Sequence, residues 1–124
     1  MDFYKDELLD HYRFARNRGT LLQPDFSSGQ YNPSCGDQVS MQARIANGYL
    51  VAIAFQGSGC VISQACASMV TELVKDKAVS YLESLTSKDI QELLGIQLGP
   101  TRLKCALLSL YALQEGLREY SKKS

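Results

Sequence analysis

Three cysteines on three separate segments carry the chemistry this sequence offers. Cys35 stands in Asn32-Pro33-Ser34-Cys35-Gly36-Asp37, Cys60 in Gly57-Ser58-Gly59-Cys60, and Cys105 in Arg102-Leu103-Lys104-Cys105. Asp37 adds a carboxylate shortly after Cys35. Three soft sulfurs and one hard oxygen suit tetrahedral zinc or an iron–sulfur unit, and the thiols could also accept sulfur. No Cys-x-x-Cys pair is present, so spacing alone leaves both a shared site and scattered core cysteines open.

The local settings favour reactive or ligating thiols. Cys60 follows a Gly-x-Gly turn and directly precedes a helix, whose unpaired N–H groups and positive end favour a thiolate. Cys105 falls in the first turns of the last helix, and Arg102 and Lys104 are expected to favour its thiolate too. Cys35 sits in a loop bracketed by proline and glycine, from which its side chain can reach outward. Cys66 is different: six residues along a helix places it about 9 Å from Cys60, on the apolar stripe. A buried, unreactive packing role is expected for it. His11, the single histidine, is placed on a surface helix and left out of the site. Gly57-Ser58-Gly59 lacks the third glycine and the Lys-Ser/Thr of a phosphate loop.

The elements that must position these residues read as follows. Residues 3 to 16 form an amphipathic helix with Tyr4, Leu8, Tyr12 and Ala15 at helical spacing, stopped by Asn17-Arg18-Gly19. Residues 20 to 34 form a loop with one short strand around Phe26. From Gln38 to Ile45 the chain alternates, with Val39, Met41, Ala43 and Ile45 pointing one way. Asn47-Gly48 is a strong hairpin signal, and Tyr49 to Phe55 returns with Val51, Ile53 and Phe55 on one face. A helix runs from Val61 to Lys75 with Ile62, Cys66, Met69 and Leu73 inward. A short helix covers Val79 to Ser84, and another starts after Thr86-Ser87 with Ser87 as its cap and Gly95 as its stop. Gly99-Pro100 opens the last helix, which runs to about Tyr120 with Leu103, Leu107, Leu110, Leu113 and Leu117 as core. Helix, small antiparallel sheet (the hairpin plus a third strand) and packed helices together make an α+β fold.

Composition sets the remaining bounds. The 124 residues are read as one domain, 1–124, able to bury a modest core. Thirteen basic residues balance thirteen acidic ones, which argues against nucleic-acid binding. The charged N-terminus has no signal-peptide pattern and no stretch suits a membrane span. A cytoplasmic protein with reduced thiols is expected, and the four cysteines are not read as two disulfides.

On these residues the chain resembles the IscU/NifU N-terminal family of iron–sulfur cluster assembly scaffolds, including its SufU branch. The resemblance covers nearly the whole chain. It rests on Asp10-His11-Tyr12 with Arg16-Asn17, on the frames of Cys35 and Asp37, on Gly57 to Ser63, on Ala67-Ser68 with Thr71-Glu72, on Lys75-Asp76-Lys77, and on Arg102 to Cys105. It implies that Cys35, Cys60 and Cys105 hold a cluster, a metal or a persulfide, and that Asp37 keeps the site labile. It also implies sulfur from a cysteine desulfurase, iron from an iron donor, a transient 2Fe–2S cluster passed to apo-proteins, and zinc as an alternative occupant. The protein is then a carrier rather than an enzyme, with a persulfide relay as the rival reading.

The chain also departs from the family pattern. Lys104 stands where the IscU branch has a histidine, as in the SufU branch, yet the SufU insertion before the last cysteine is missing. Leu98-Gly99-Pro100-Thr101-Arg102 replaces the Leu-Pro-Pro-Val-Lys stretch shown to a dedicated chaperone, which argues against that partner. Phe14-Ala15 replaces Asn-Pro before Arg16-Asn17, and Cys66 replaces a serine.

Overall fold

A computed structural model describes residues 3–123, in the order α1 (Phe3–Arg13), β1 (Phe26–Asn32), β2 (Asp37–Ala46), β3 (Tyr49–Ser58), α2 (Val61–Val74), α3 (Val79–Ser84), α4 (Ser87–Leu94) and α5 (Pro100–Lys123). The fold is α+β. The three strands form one antiparallel sheet in the order β1-β2-β3. Alternation puts Val39, Met41 and Ala43 of β2 on the face that packs against α2 and α5, all buried. Asn47 and Gly48 both take positive φ, 54° and 81°, as the tight turn between β2 and β3 requires.

The sheet corrects two expectations. The strand near Phe26 is not short: it pairs along its whole length, from Phe26 with Ala43 to Asn32 with Asp37. Its Ser, Gly and Gln residues have little strand preference of their own, so the pairing with β2 decides. In β3, Val51 does not share the inward face with Ile53 and Phe55. The register shifts at Arg44/Ile45, so that Arg44 faces Ala52 while Ile45 faces Leu50, and Val51 is the extra residue. That bulge turns Leu50 into the core and leaves Val51 42% exposed.

The helices cover one face of the sheet. α1 ends at Arg13 rather than residue 16, because the following chain turns away at Asn17 (φ 62°) and lies along β3. Asn17 O accepts from Phe55 N and Gly19 N donates to Phe55 O, each at 2.9 Å, so the outer edge of β3 is covered. Tyr12 is exposed and Leu8 buried; the side chain of Tyr4 lies outside the described residues. The inward stripe expected for α2 is too narrow: Ile62, Cys66, Met69 and Leu73 do pack in or against the core, but they are not alone. Ser63 through Thr71 are buried without a break, because α1, α5 and the sheet pack around it. α4 is capped by Thr86 instead of Ser87, with the Asp89 carboxylate returning to the Thr86 amide at 2.8 Å. Gly95 closes it at φ 68°. In α5 a Cβ at Gly116 would overlap the Phe26 ring, so this glycine lets the helix lie close to β1. No described helix is long and apolar enough to cross a membrane.

Candidate metal centre

The site lies where the β1–β2 turn, the end of β3 and the start of α5 meet. Asn32 closes β1 and pairs with Asp37, the first residue of β2, which leaves residues 33–36 as a tight loop. The Asn32 carbonyl accepts from the amides of Cys35 and Gly36, at 3.3 and 2.9 Å, and its Oδ1 accepts from Ser34 N at 3.1 Å. The loop thereby presents Cys35 to solvent while Asp37 is fully buried.

Cys60 is the N-cap of α2, and its Sγ accepts from Ser63 N at 3.4 Å. A sulfur here takes the place of the usual Ser or Asp cap oxygen. The Cys60 amide donates to Asp37 Oδ1 at 2.7 Å, and its thiol donates to Asp37 Oδ2 at 3.5 Å. Gly59 makes that approach feasible. Its φ is +135°, and a Cβ at this position would overlap the Asp37 carboxylate.

Cys105 enters from the second turn of α5 and is 2% exposed. Its Sγ accepts from Asn32 Nδ2 at 3.8 Å. Cys35, Asp37 and Cys105 bring their ligand atoms within 4.8 Å of one another. The Cys60 sulfur stands outside that trio and reaches it through Asp37. A groove of about 510 Å³ opens onto the three sulfurs, with Leu8, Leu9, Val61 and Ile62 along it and Lys5 and Arg102 beside it.

The electrostatics follow from burial and from this one carboxylate. Burial alone would raise Asp37, but hydrogen bonds from Cys105, from the amide and thiol of Cys60, and from Ser63 outweigh it and hold the carboxyl below its ordinary value. Cys105 moves the other way. Burial raises it most, and the adjoining Asp37 carboxylate and Cys35 raise it further. The expectation that Arg102 and Lys104 favour its thiolate is therefore overturned: both are exposed, and burial with the adjoining carboxylate and thiols prevails. A metal binding at Cys105 must displace a proton.

The donor set fits zinc. Thiolates about 2.3 Å from a tetrahedral zinc lie about 3.8 Å apart, a small contraction of the trio, and Asp37 is already the carboxylate between Cys60 and Cys105. Cys60, whose sulfur lies 3.5 Å from Asp37 Oδ2, would be the fourth ligand.

Two other residues need comment. Cys66 is fully buried in α2, with its thiol pushed up to about 12 by burial and Ser109 Oγ 3.8 Å away. His11, expected on the surface, is only 5% exposed. α1 presses it onto α2, where Nδ1 meets Ser68 Oγ at 2.8 Å and Nε2 meets Glu72 Oε1 at 3.3 Å. The sequence reading missed Asn32 and Gly59 as site residues. Both sit inside the frames of Cys35 and Cys60, but only the folded register shows what they contact.

Residues 3–124 match the family described as NifU-like N terminal domain. A Bacillus subtilis (strain 168) protein named zinc-dependent sulfurtransferase SufU is 32% identical, over 92% of this chain and 88% of its own. The iron–sulfur cluster assembly scaffold protein IscU of Aquifex aeolicus (strain VF5) is 34% identical, over 97% and 77%. Among solved structures, the N-terminal part of a NifU-like protein from Brucella abortus aligns with a TM-score of 0.81 at 17% identity, over 98% of this chain and 96% of that one. A SUF-system scaffold protein from Fervidobacterium islandicum gives 0.75 at 23%, over 90% and 94%. At those identities the two structures speak to the fold alone.

Proposed function

Because this chain belongs to the NifU-like N-terminal domain family, we propose that it is an iron–sulfur cluster assembly scaffold, holding its cargo on Cys35, Asp37, Cys60 and Cys105. The observation that carries this reading is the buried Asp37 carboxylate shared between thiols from three elements. A structural zinc site would bind more tightly with a fourth cysteine. One hard oxygen among soft sulfurs instead gives a corner that exchanges readily, which suits cargo that must leave.

In this reading a cysteine desulfurase supplies sulfane sulfur. A thiolate of the site attacks it, the donor's S–S bond breaks and the donor thiolate leaves. Iron(II) then joins, the sulfane sulfur is reduced to sulfide by electrons from the iron(II) and from an external electron donor, and the 2Fe–2S cargo passes to an apo-protein. This chain's part is to bind and release. Cys35 and Cys60 are open to a donor, while Cys105 is reached only through the groove.

A second reading is a zinc-dependent persulfide relay. It is supported by the similarity to the relative named as a zinc-dependent sulfurtransferase and by Lys104 in place of a histidine. Zinc would be held by the same four residues and would keep their thiols deprotonated at neutral pH. Anaerobic reconstitution with iron, a cysteine desulfurase and cysteine separates the two. Visible cluster bands that move to an apo-ferredoxin support the scaffold. Retained zinc, a persulfide on one of the three cysteines and no cluster would replace it with the relay.

A further inference from the structure

We propose that Asn32 is the positioning residue of this centre: its side chain clasps the Cys35 loop at one end and the Cys105 sulfur at the other, and so sets how the two thiols face each other before loading. The proposal deepens the reading of Cys35 and Cys105 as partners in one site. Asn32 is half-buried at the point where β1, the loop and α5 meet. Every polar group it turns toward the site is used. Its carbonyl holds Cys35 N and Gly36 N, its Oδ1 holds Ser34 N, and its Nδ2 donates to Cys105 Sγ.

The two ends of the side-chain amide are not interchangeable. Ser34 N can only donate, so it fixes Oδ1 on the loop side and turns Nδ2 toward Cys105. Cys105 is then held between a donor, Asn32, and an acceptor, Asp37. A short side chain with an acceptor at the γ position serves the loop turn, a task that Asp and Ser perform as well. Only asparagine adds a nitrogen donor at that length. Aspartate would keep the turn and set a second carboxylate against the sulfur. The residue type thus answers two demands at once, one from the loop and one from the helix.

Asn32→Asp and Asn32→Ala separate those demands in the full-length protein. In metal-free protein treated with the thiol oxidant diamide, mass spectrometry should find Cys35–Cys105 as the main disulfide of the parent chain. Its rate should fall severalfold in both variants. Cobalt(II), a coloured stand-in for zinc, should bind roughly tenfold more weakly to both variants, the range for loss of a partner behind a ligand. In a Cys105→Ala background Asn32→Asp should cause no further change in cobalt affinity, because the contact it removes is already gone. Asn32→Asp matches the parent side chain in size and keeps the Ser34 bond, so circular dichroism should show it folded. An unchanged disulfide rate in both variants, or the same cobalt loss with and without Cys105, would overturn the assignment. Failure of the parent chain to bind cobalt through thiolates would instead count against the site reading, while the disulfide rates still judge Asn32.

Discussion

Asp37 is the residue on which the others depend, since it accepts from Cys60 and Cys105 and is enclosed by Gly59. Gly59→Ala should therefore do more than strain a backbone at φ +135°. It forces the Asp37 carboxylate aside, so both metal affinity and thermal stability should fall, stability by about 1–3 kcal/mol. A denaturation curve matching the parent would show that the loop absorbs the methyl group. Asp37→Ala acts differently. It removes the oxygen proposed to exchange, so transfer of a loaded cluster to an apo-ferredoxin should slow, and it leaves the Cys60 amide without its acceptor, at a cost of about 1–3 kcal/mol. Transfer at the parent rate would remove Asp37 from the release step. Cys66→Ser should keep the metal content and cost only about 1–2 kcal/mol, because Ser109 can pair with the new hydroxyl. Loss of metal there would place Cys66 in the site. These three residues also mark how far the sequence was legible. The frames of Cys35, Cys60 and Cys105 were readable as motifs, and Cys66 as packing from its helical phase. The sharing of one carboxylate was not, because it depends on the Asn32–Asp37 and Gln38–Ser58 pairings of two different hairpins.

At the scale of elements, strong local signals settled what local physics controls. Asn47-Gly48 demands its turn, Pro100 opens α5, and Val79–Ser84 is helical over the residues its pattern marks. Tertiary contacts decided the rest. β1 is a strand through its partner rather than its composition, and the bulge at Val51 cannot be seen in an alternating pattern that continues straight through it. The cap of α4 was expected one residue late, at Ser87, since Thr86 and Ser87 are both good caps and only the backbone direction chooses between them. Thr86→Ala should lower stability by about 1 kcal/mol, with Ser87→Ala near neutral. Chemical denaturation of the two variants checks the assignment, and equal losses would mean that the helix start slides between them. Neither change should reach the candidate centre, because Leu93 of α4 meets α2 beside Met69, Glu72 and Leu73, at the opposite end of that helix from Cys60.

Across the whole molecule, α1 is tied to the body by a buried histidine. Ser68 Oγ accepts from Arg16 N at 2.8 Å and meets His11 Nδ1 at 2.8 Å, while His11 Nε2 faces Glu72. A neutral ring with its proton on Nε2 suits both neighbours: Ser68 donates to Nδ1 and Nε2 donates to the carboxylate. Burial holds His11 below its ordinary pKa and Arg16 adds to that, against opposing pulls from Glu72, Glu7 and Asp10. In the unfolded chain the ring takes up a proton near pH 6.5, before the folded form does. Between those two points the unfolded state binds more protons, so stability falls as pH falls. The contribution is complete above the unfolded value and is lost as pH drops through 6.5 toward the lower, folded value. The melting temperature should thus be flat above about pH 7.5 and decline below it, while the unfolding free energy falls by no more than about 1.4 kcal/mol per pH unit, the limit for one proton. His11→Gln can still bond Ser68 or Glu72 but cannot titrate, so its curve should lose that decline between pH 7.5 and 5.5. An identical decline in the variant would assign the pH response to other groups. Because α1 also contributes Leu8 and Leu9 to the groove before the sulfurs, the same pH series should raise the rate at which Cys105 is alkylated relative to the exposed Cys60, as α1 loosens. A ratio that stays constant while the melting temperature falls would show that α1 holds its place until the whole domain unfolds.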